Sequence, residues 1–304
     1  MTSRTNAGAV LSLAISVVLW ASAFVGIRAA LPGYSPAHLA LFRFLIASLV
    51  LALYAAVSRQ IRLPDRHDLP AIIVAGFCGI TLYHLVLNYG ELHVEAGPAS
   101  VLVNTSPIFT GLWATCFLHE RLRFIGWMGI GVSFCGAVLI ALGEGGGFHF
   151  NPSALIVLLA AVATSLYFVL QKPLLTRYTG FEFTCYSIWA GTLFLLFAAP
   201  GLPAQIRSAP LSATMSIIYL GIFPAALAYV TWAYFIAHLP ASRAASFLFL
   251  SSPLSFIIAA VWLHERPHAL SLLGTLLALS GIVLVNCRQG GSQQSKLALH
   301  RDAL

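Results

Sequence analysis

The sequence predicts an all-α integral membrane protein of ten transmembrane helices, arranged as a 5+5 inverted-topology repeat. Three observations predict this. Charged residues make up 8% of the 304 and hydrophobic residues 59%, whereas a soluble domain carries about 25% charged residues. Mean hydropathy is +0.89, so a globule of this composition lacks the polar surface to stay in water. A long segment also recurs about 146 residues later, with an odd number of apolar stretches in each copy.

Each bilayer crossing takes about 20 mostly apolar residues. Spans are expected at 9–30 and 36–57, parted by Leu31-Pro32-Gly33, and at 69–91 after Arg62-Leu63-Pro64-Asp65. Spans 96–118 and 124–142 flank Glu120-Arg121, and the glycines from Gly143 to Gly147 close that half. The second half holds 153–171, 182–199, 212–236, 241–263 and 268–286, punctuated by Pro200-Gly201 and Leu239-Pro240. The first span is too long for a signal-peptide core and is expected to remain as a helix. The expected units are residues 1–148, 149–288 and a polar tail, 289–304, expected to be disordered.

Basic residues set orientation. With the N-terminus inside, twelve Lys or Arg fall on inner segments, whereas only Arg28, Arg207 and Arg266 fall outside. Both termini are therefore expected in the cytoplasm. This bias accounts for the net charge of +7, and no nucleic-acid partner is read from it. The five cysteines (Cys78, Cys116, Cys135, Cys185, Cys287) lie in or at the end of apolar spans without paired spacing, which suits packing rather than disulfides or metal.

The repeat is the most specific signal. Ser106-Pro107, Leu118-His119-Glu120-Arg121, Gly129 and Gly136 recur as Ser252-Pro253, Leu263-His264-Glu265-Arg266, Gly274 and Gly281. The offset is 146 at the prolines and 145 from the histidines onward. Five spans per half turn the second copy upside down in the bilayer. Inverted halves of this kind are common in secondary transporters with a midplane site.

At these residues the chain resembles the EamA family of the drug/metabolite transporter superfamily. The likeness rests on Trp20-Ala21-Ser22-Ala23-Phe24, on Arg43, and on a membrane proline followed by a Leu-x-Glu-Arg corner and a glycine-rich helix, present twice. It covers about residues 9 to 286. The family usually has Gly before the corner Glu, where this chain has His119 and His264. The resemblance implies a ten-helix carrier with a central cavity, often an exporter of amino acids or related metabolites.

Candidate substrate-binding residues follow from polarity inside the spans. Thr81, His84, Asn88 and Glu91 are spaced by three, four and three, which places them on one helix face. Such a stripe lines a cavity or bonds to neighbouring helices, because a polar group facing lipid is costly. Glu91 and Glu95 lie near the outer face and are expected to be solvated. Asn104, Ser106, Ser251 and Ser252 flank Pro107 and Pro253, the candidate hinges, which cannot donate to the backbone ladder. Trp20, Tyr167, Tyr229 and Trp232 lie towards mid-span and together could wall an apolar pocket, and Thr164 and Gln171 share a face with Tyr167. Arg43 is expected either to pair with Glu91, the favoured reading, or to attract an anionic substrate. Gly129, Gly136, Gly274 and Gly281, with Ser133 and Ala278 between them, form an expected close-packing seam.

His264-Glu265-Arg266-Pro267-His268 formally matches the zinc-protease pattern H-E-x-x-H, which requires both histidines on one continuous helix. Pro267 disfavours helix at Arg266, so no metal is expected. No cofactor is expected either. The sequence holds no P-loop and no nucleophile–base constellation, which argues against an ATP-driven pump and an embedded enzyme. A channel is the alternative, and it would need a continuously open polar path. The expected partners are a small-molecule substrate, the lipid bilayer and a coupling proton or ion.

Overall fold

A computed structural model describes residues 5–118, 124–143, 151–237 and 247–286. Among these the chain is helical throughout, without strands. The helices are α1 (Thr5–Ala30), α2 (Pro36–Ser58), α3 (Leu69–Gly90), α4 (Ala96–Val103), α5 (Ser106–Leu118) and α6 (Phe124–Gly143), then α7 (Ser153–Leu174), α8 (Gly180–Leu195), α9 (Leu202–Ser208), α10 (Leu211–Ala237), α11 (Ser251–Trp262) and α12 (Ala269–Asn286). Six stretches among them are long and apolar enough to cross a membrane: Gly8–Ala30, Pro36–Ser58, Leu69–Gly90, Ser153–Leu174, Gly180–Ala198 and Leu211–Ala237. The first corner, His119-Glu120-Arg121, lies outside the described residues. So do Arg243, Cys287 and the tail 289–304.

Local chemistry sets the helix ends. Ser35 caps α2 by accepting from the His38 amide, Pro36 fills the first turn, and Arg59 closes the helix in the left-handed region at φ 51°. Thr179 and Glu182 form a capping box at α8. Gly201, at φ 85°, lets the chain turn into α9, a short helix absent from the sequence reading.

The surface is the reverse of a soluble protein's. Leu49, Leu53, Val261 and Leu276 point outward, 59–74% exposed, while serines, threonines and amides are buried within an otherwise apolar core. An apolar surface of this extent requires hydrocarbon around it, and the chain is an integral membrane protein.

Three features depart from ten plain helices. The expected span 96–118 is broken by a turn at Asn104–Thr105, so α4 and α5 are separate. Pro107 then stands in the first turn of α5, where its missing N–H costs nothing. Pro253 likewise stands in the first turn of α11, after a 3₁₀ turn at Phe247–Leu250. Both third helices also widen into π-helix, at Phe77–Leu82 in α3 and Gly221–Leu227 in α10.

The two repeats pack crosswise. α1 lies against α10 and α11, and α7 lies against α3 and α5, so each repeat's first helix is inserted into the other repeat. α6 packs along α12. A side chain at Gly136 would collide with the Ala278 backbone, and one at Gly281 with that of Ser133, while Ser133 Oγ donates to the Ala278 carbonyl at 2.8 Å. The glycine seam read from the sequence is therefore the α6–α12 contact.

The loops sort to two ends. At one end Arg28 meets Glu265, Ser35 meets Gln205, and Asn151 donates to the His93 carbonyl. At the other, Arg62 meets Glu182 at 2.9 Å, Arg177 meets Asp68 at 2.8 Å, and Tyr186 donates to the Arg62 carbonyl.

Candidate functional site

A central cavity lies where the two repeats meet, enclosing about 580 Å³ of empty space with its open side included. α1 contributes Trp20 and Phe24, α2 contributes Arg43, and α3 contributes Tyr83 and His84. The α4–α5 break contributes Asn104 and Ser106, α7 gives Thr164 and Phe168, α10 gives Tyr229, and the segment before α11 with its first turn gives Leu248 and Ser251.

Its polar core is one hydrogen-bonded chain. Arg43 Nη1 lies 3.3 Å from His84 Nδ1, His84 Nε2 lies 3.1 Å from the Tyr229 hydroxyl, and Tyr229 donates to the Gly79 carbonyl at 3.4 Å. A guanidinium only donates, so Nδ1 accepts and Nε2 carries the proton, as a neutral imidazole allows. A second cluster closes the other wall, where Asn104 Nδ2 donates to Ser251 Oγ at 2.8 Å and Ser252 Oγ at 2.7 Å. These residues belong to different repeats, so the α4–α5 break and the start of α11 are tied together at the cavity.

Aromatic rings form the remaining wall. Trp20 contacts Tyr229 edge-on at 5.4 Å and Trp232 at 5.2 Å, and its Nε1 donates to the Pro224 carbonyl at 3.1 Å. Behind them, Tyr167 packs against Tyr229 and Phe183. A side chain at Gly79 would strike the Tyr167 ring, so this approach requires glycine. Each repeat's first helix thus sets an aromatic side chain on the π-helical segment of the other repeat.

The candidate residues divide into three groups. Trp20, His84, Asn104, Ser106 and Tyr229 line the cavity. Tyr167, Trp232 and Ser252 stand directly behind that lining and hold it. Thr81 and Asn88 do not line it: Thr81 donates to the Gly191 carbonyl at 2.9 Å, and Asn88 to the Pro36 carbonyl at 3.0 Å. Thr81 lies in the π-helical turn, whereas His84 and Asn88 both lie in the regular α-helical part of α3, Tyr83–Gly90, and Asn88 is turned towards α2 rather than the cavity. The cavity face of α3 is Tyr83, His84 and Leu87, and Tyr83 falls outside a stripe traced through the polar side chains at three- and four-residue spacing. Pro107 and Pro253 stand beside the cavity at the two breaks.

Two expectations about charge are corrected. Arg43 does not pair with Glu91: its contact is His84, seven residues earlier on α3 and about 10 Å away at 1.5 Å per residue. Glu91 is not solvated: its side chain is buried with neither oxygen hydrogen-bonded, and its carbonyl accepts from Arg28 Nη1 at 2.6 Å. At the second corner His264 adopts φ 54°, and 264–268 form no helix, so the two histidines do not share a helical face. Glu265 instead meets Arg28 Nε at 3.2 Å and accepts from the Ala96 amide at 3.1 Å.

A helical membrane protein with a polar, aromatic-walled cavity between two matched repeats has the architecture of a small-molecule transporter. Residues 7–142 and 151–287 each match the EamA-like transporter family, and the chain belongs to that family. It is 42% identical over 286 residues to a probable terminal-alkyne amino-acid exporter of Streptantibioticus cattleyicolor, covering 94% of this chain and 96% of that protein. It is 43% identical over 272 residues to the uncharacterized transporter YdfC of Bacillus subtilis, covering 90% and 89%. A solved crystal structure shares the fold with a TM-score of 0.64 at 19% identity, covering 92% of this chain and 96% of that one.

Proposed function

We propose that this transporter is a secondary carrier that exports amino acids or related small metabolites by alternating access, without a catalytic step. In this reading ten spanning helices form two inverted five-helix halves, residues 1–148 and 149–288. Both termini and the tail 289–304 face the cytoplasm across the plasma membrane. The observation that carries it is the cavity itself, lined by polar groups from both repeats, which the Arg28–Glu265 contact also joins at one end of the molecule. A carrier needs a site that either half can uncover, and crosswise insertion of α1 and α7 gives each half a wall of it. The Streptantibioticus relative, named as an exporter of terminal-alkyne amino acids, favours a carboxylated substrate with an apolar side chain. A proton or ion is the expected coupling partner, and Pro107 and Pro253 are the expected hinges.

The reading is tested by flux from proteoliposomes loaded in turn with apolar amino acids, nucleobases and amines. Saturable, counter-substrate-stimulated flux of an apolar amino acid is expected. Flux confined to amines or nucleobases would refute the substrate class, and a non-saturating conductance would refute the carrier.

A further inference from the structure

Resting on that carrier reading, we propose that Arg43 is the carboxylate anchor of the cavity, pairing with a zwitterionic substrate whose apolar side chain lies against Trp20, Phe24 and Phe168. Arg43 is 1% exposed and lines the cavity. Its Nε has no hydrogen-bond partner, and its polar contact among the described residues is a histidine ring nitrogen at 3.3 Å. None of the ion pairs among the described residues involves it. The Phe44 ring, 5.5 Å away, adds only a cation–π contact.

A buried cation without an anion is costly, and an intramembrane one marks a site where charge is supplied from elsewhere. The internal candidate, Glu91, lies two turns along α3 and does not reach it. The guanidinium fork matches a carboxylate with two parallel hydrogen bonds, which a single ammonium does not reproduce. Another part of the lining has the complementary character. Asn104 lines the cavity and both of its hydrogen bonds use its amide nitrogen, so its carbonyl oxygen keeps its capacity to accept from an ammonium group. One donor pole, one acceptor pole and an aromatic side wall together describe an apolar α-amino acid.

The test is counterflow of radiolabelled L-leucine in proteoliposomes, with L-leucine and L-leucinamide as competitors, for the wild type, Arg43→Gln and Arg43→Lys. The amide keeps the ammonium and side chain and loses only the negative charge. In the wild type it is expected to compete at least about tenfold more weakly than leucine. In Arg43→Gln that preference is expected to fall below about twofold, with Arg43→Lys between the two, because lysine keeps the charge without the fork. Competition by norleucine serves as the control, since side-chain recognition does not run through Arg43. Equal competition by leucine and its amide in the wild type overturns the proposal even if neither variant folds, as does an undiminished preference in Arg43→Gln. Either result leaves the amino-acid reading standing, because leucine is then still carried. Absence of leucine flux alongside flux of amines or nucleobases removes both.

Discussion

His84 and Asn88 lie one turn apart on α3, yet the structure gives them different work. His84 joins Arg43 to Tyr229 inside the cavity, whereas Asn88 ties α3 to the carbonyl of Pro36 at the start of α2. His84→Ala should therefore lower counterflow at least tenfold while purified protein yield changes little. Asn88→Ala should leave the apparent substrate affinity within about twofold and cost stability, at about 0.6 kcal/mol for a typical interhelical membrane hydrogen bond. Dose–response counterflow together with thermal unfolding separates the two, and equal effects on affinity would contradict the assignment. Hydrophobic context made these polar residues legible as candidates. What the sequence did not reveal was which neighbour each would meet, because residues four apart on a regular helix share a broad face and tertiary packing divides it between the cavity and α2. Asp68 offers a second test at this scale. The Tyr178 hydroxyl and the Arg177 guanidinium hold its carboxyl below the usual carboxylate range. A lowered carboxyl contributes stability that is present above its unfolded value, about 4, and lost as pH falls through the folded value. The difference in unfolding midpoint between wild type and Asp68→Asn should be largest at neutral pH and shrink in acid below about pH 4. A difference that stays constant from pH 7 to 3 would contradict this.

Among the elements, the long apolar helices were readable because each needs only length and hydropathy, and α1, α2, α3, α7 and α10 lie close to their expected positions. The break at Asn104–Thr105 was not readable as a break: Pro107 signals a disturbance, but a kinked continuous helix satisfies the same signal. The structure puts both repeated prolines in first turns, so each marks where a new helix begins beside the cavity. Alanine at Pro107 restores an N–H and allows α4 and α5 to join through Asn104, drawing that side chain from its Ser251–Ser252 contact. Pro107→Ala and Pro253→Ala should each slow counterflow and shift a cysteine placed at Ala23 towards opposite sides in labelling experiments. An effect of 1.4 kcal/mol on the balance of states changes their ratio about tenfold, well within reach of such labelling. Identical labelling in both variants with normal flux would reduce the prolines to fixed features of shape.

For the molecule as a whole, the repeat carried the most information, because a motif found twice reports on both local structure and the relation between halves. It anticipated the α6–α12 seam, where Gly136 and Gly281 admit the facing backbone. It did not anticipate the crosswise insertion of α1 and α7, which depends on long-range packing that no local pattern encodes. Pseudosymmetry extends to the cations that end those helices. Arg28 donates to the Glu91 carbonyl at the end of α3, and Lys172 donates to the Ile236 carbonyl at the end of α10. At the Arg28 end the contact continues to Glu265 of the other repeat, joining the two repeats at that end of the molecule. If the halves rock about the cavity, this contact must open in every cycle. The decisive measurement places cysteines at Arg28 and Glu265 in a background lacking the five native cysteines and joins them with a short, reducible thiol cross-linker. Counterflow is predicted to stop on cross-linking and return on reduction. Undiminished flux with cross-linking complete would contradict alternating access at this site.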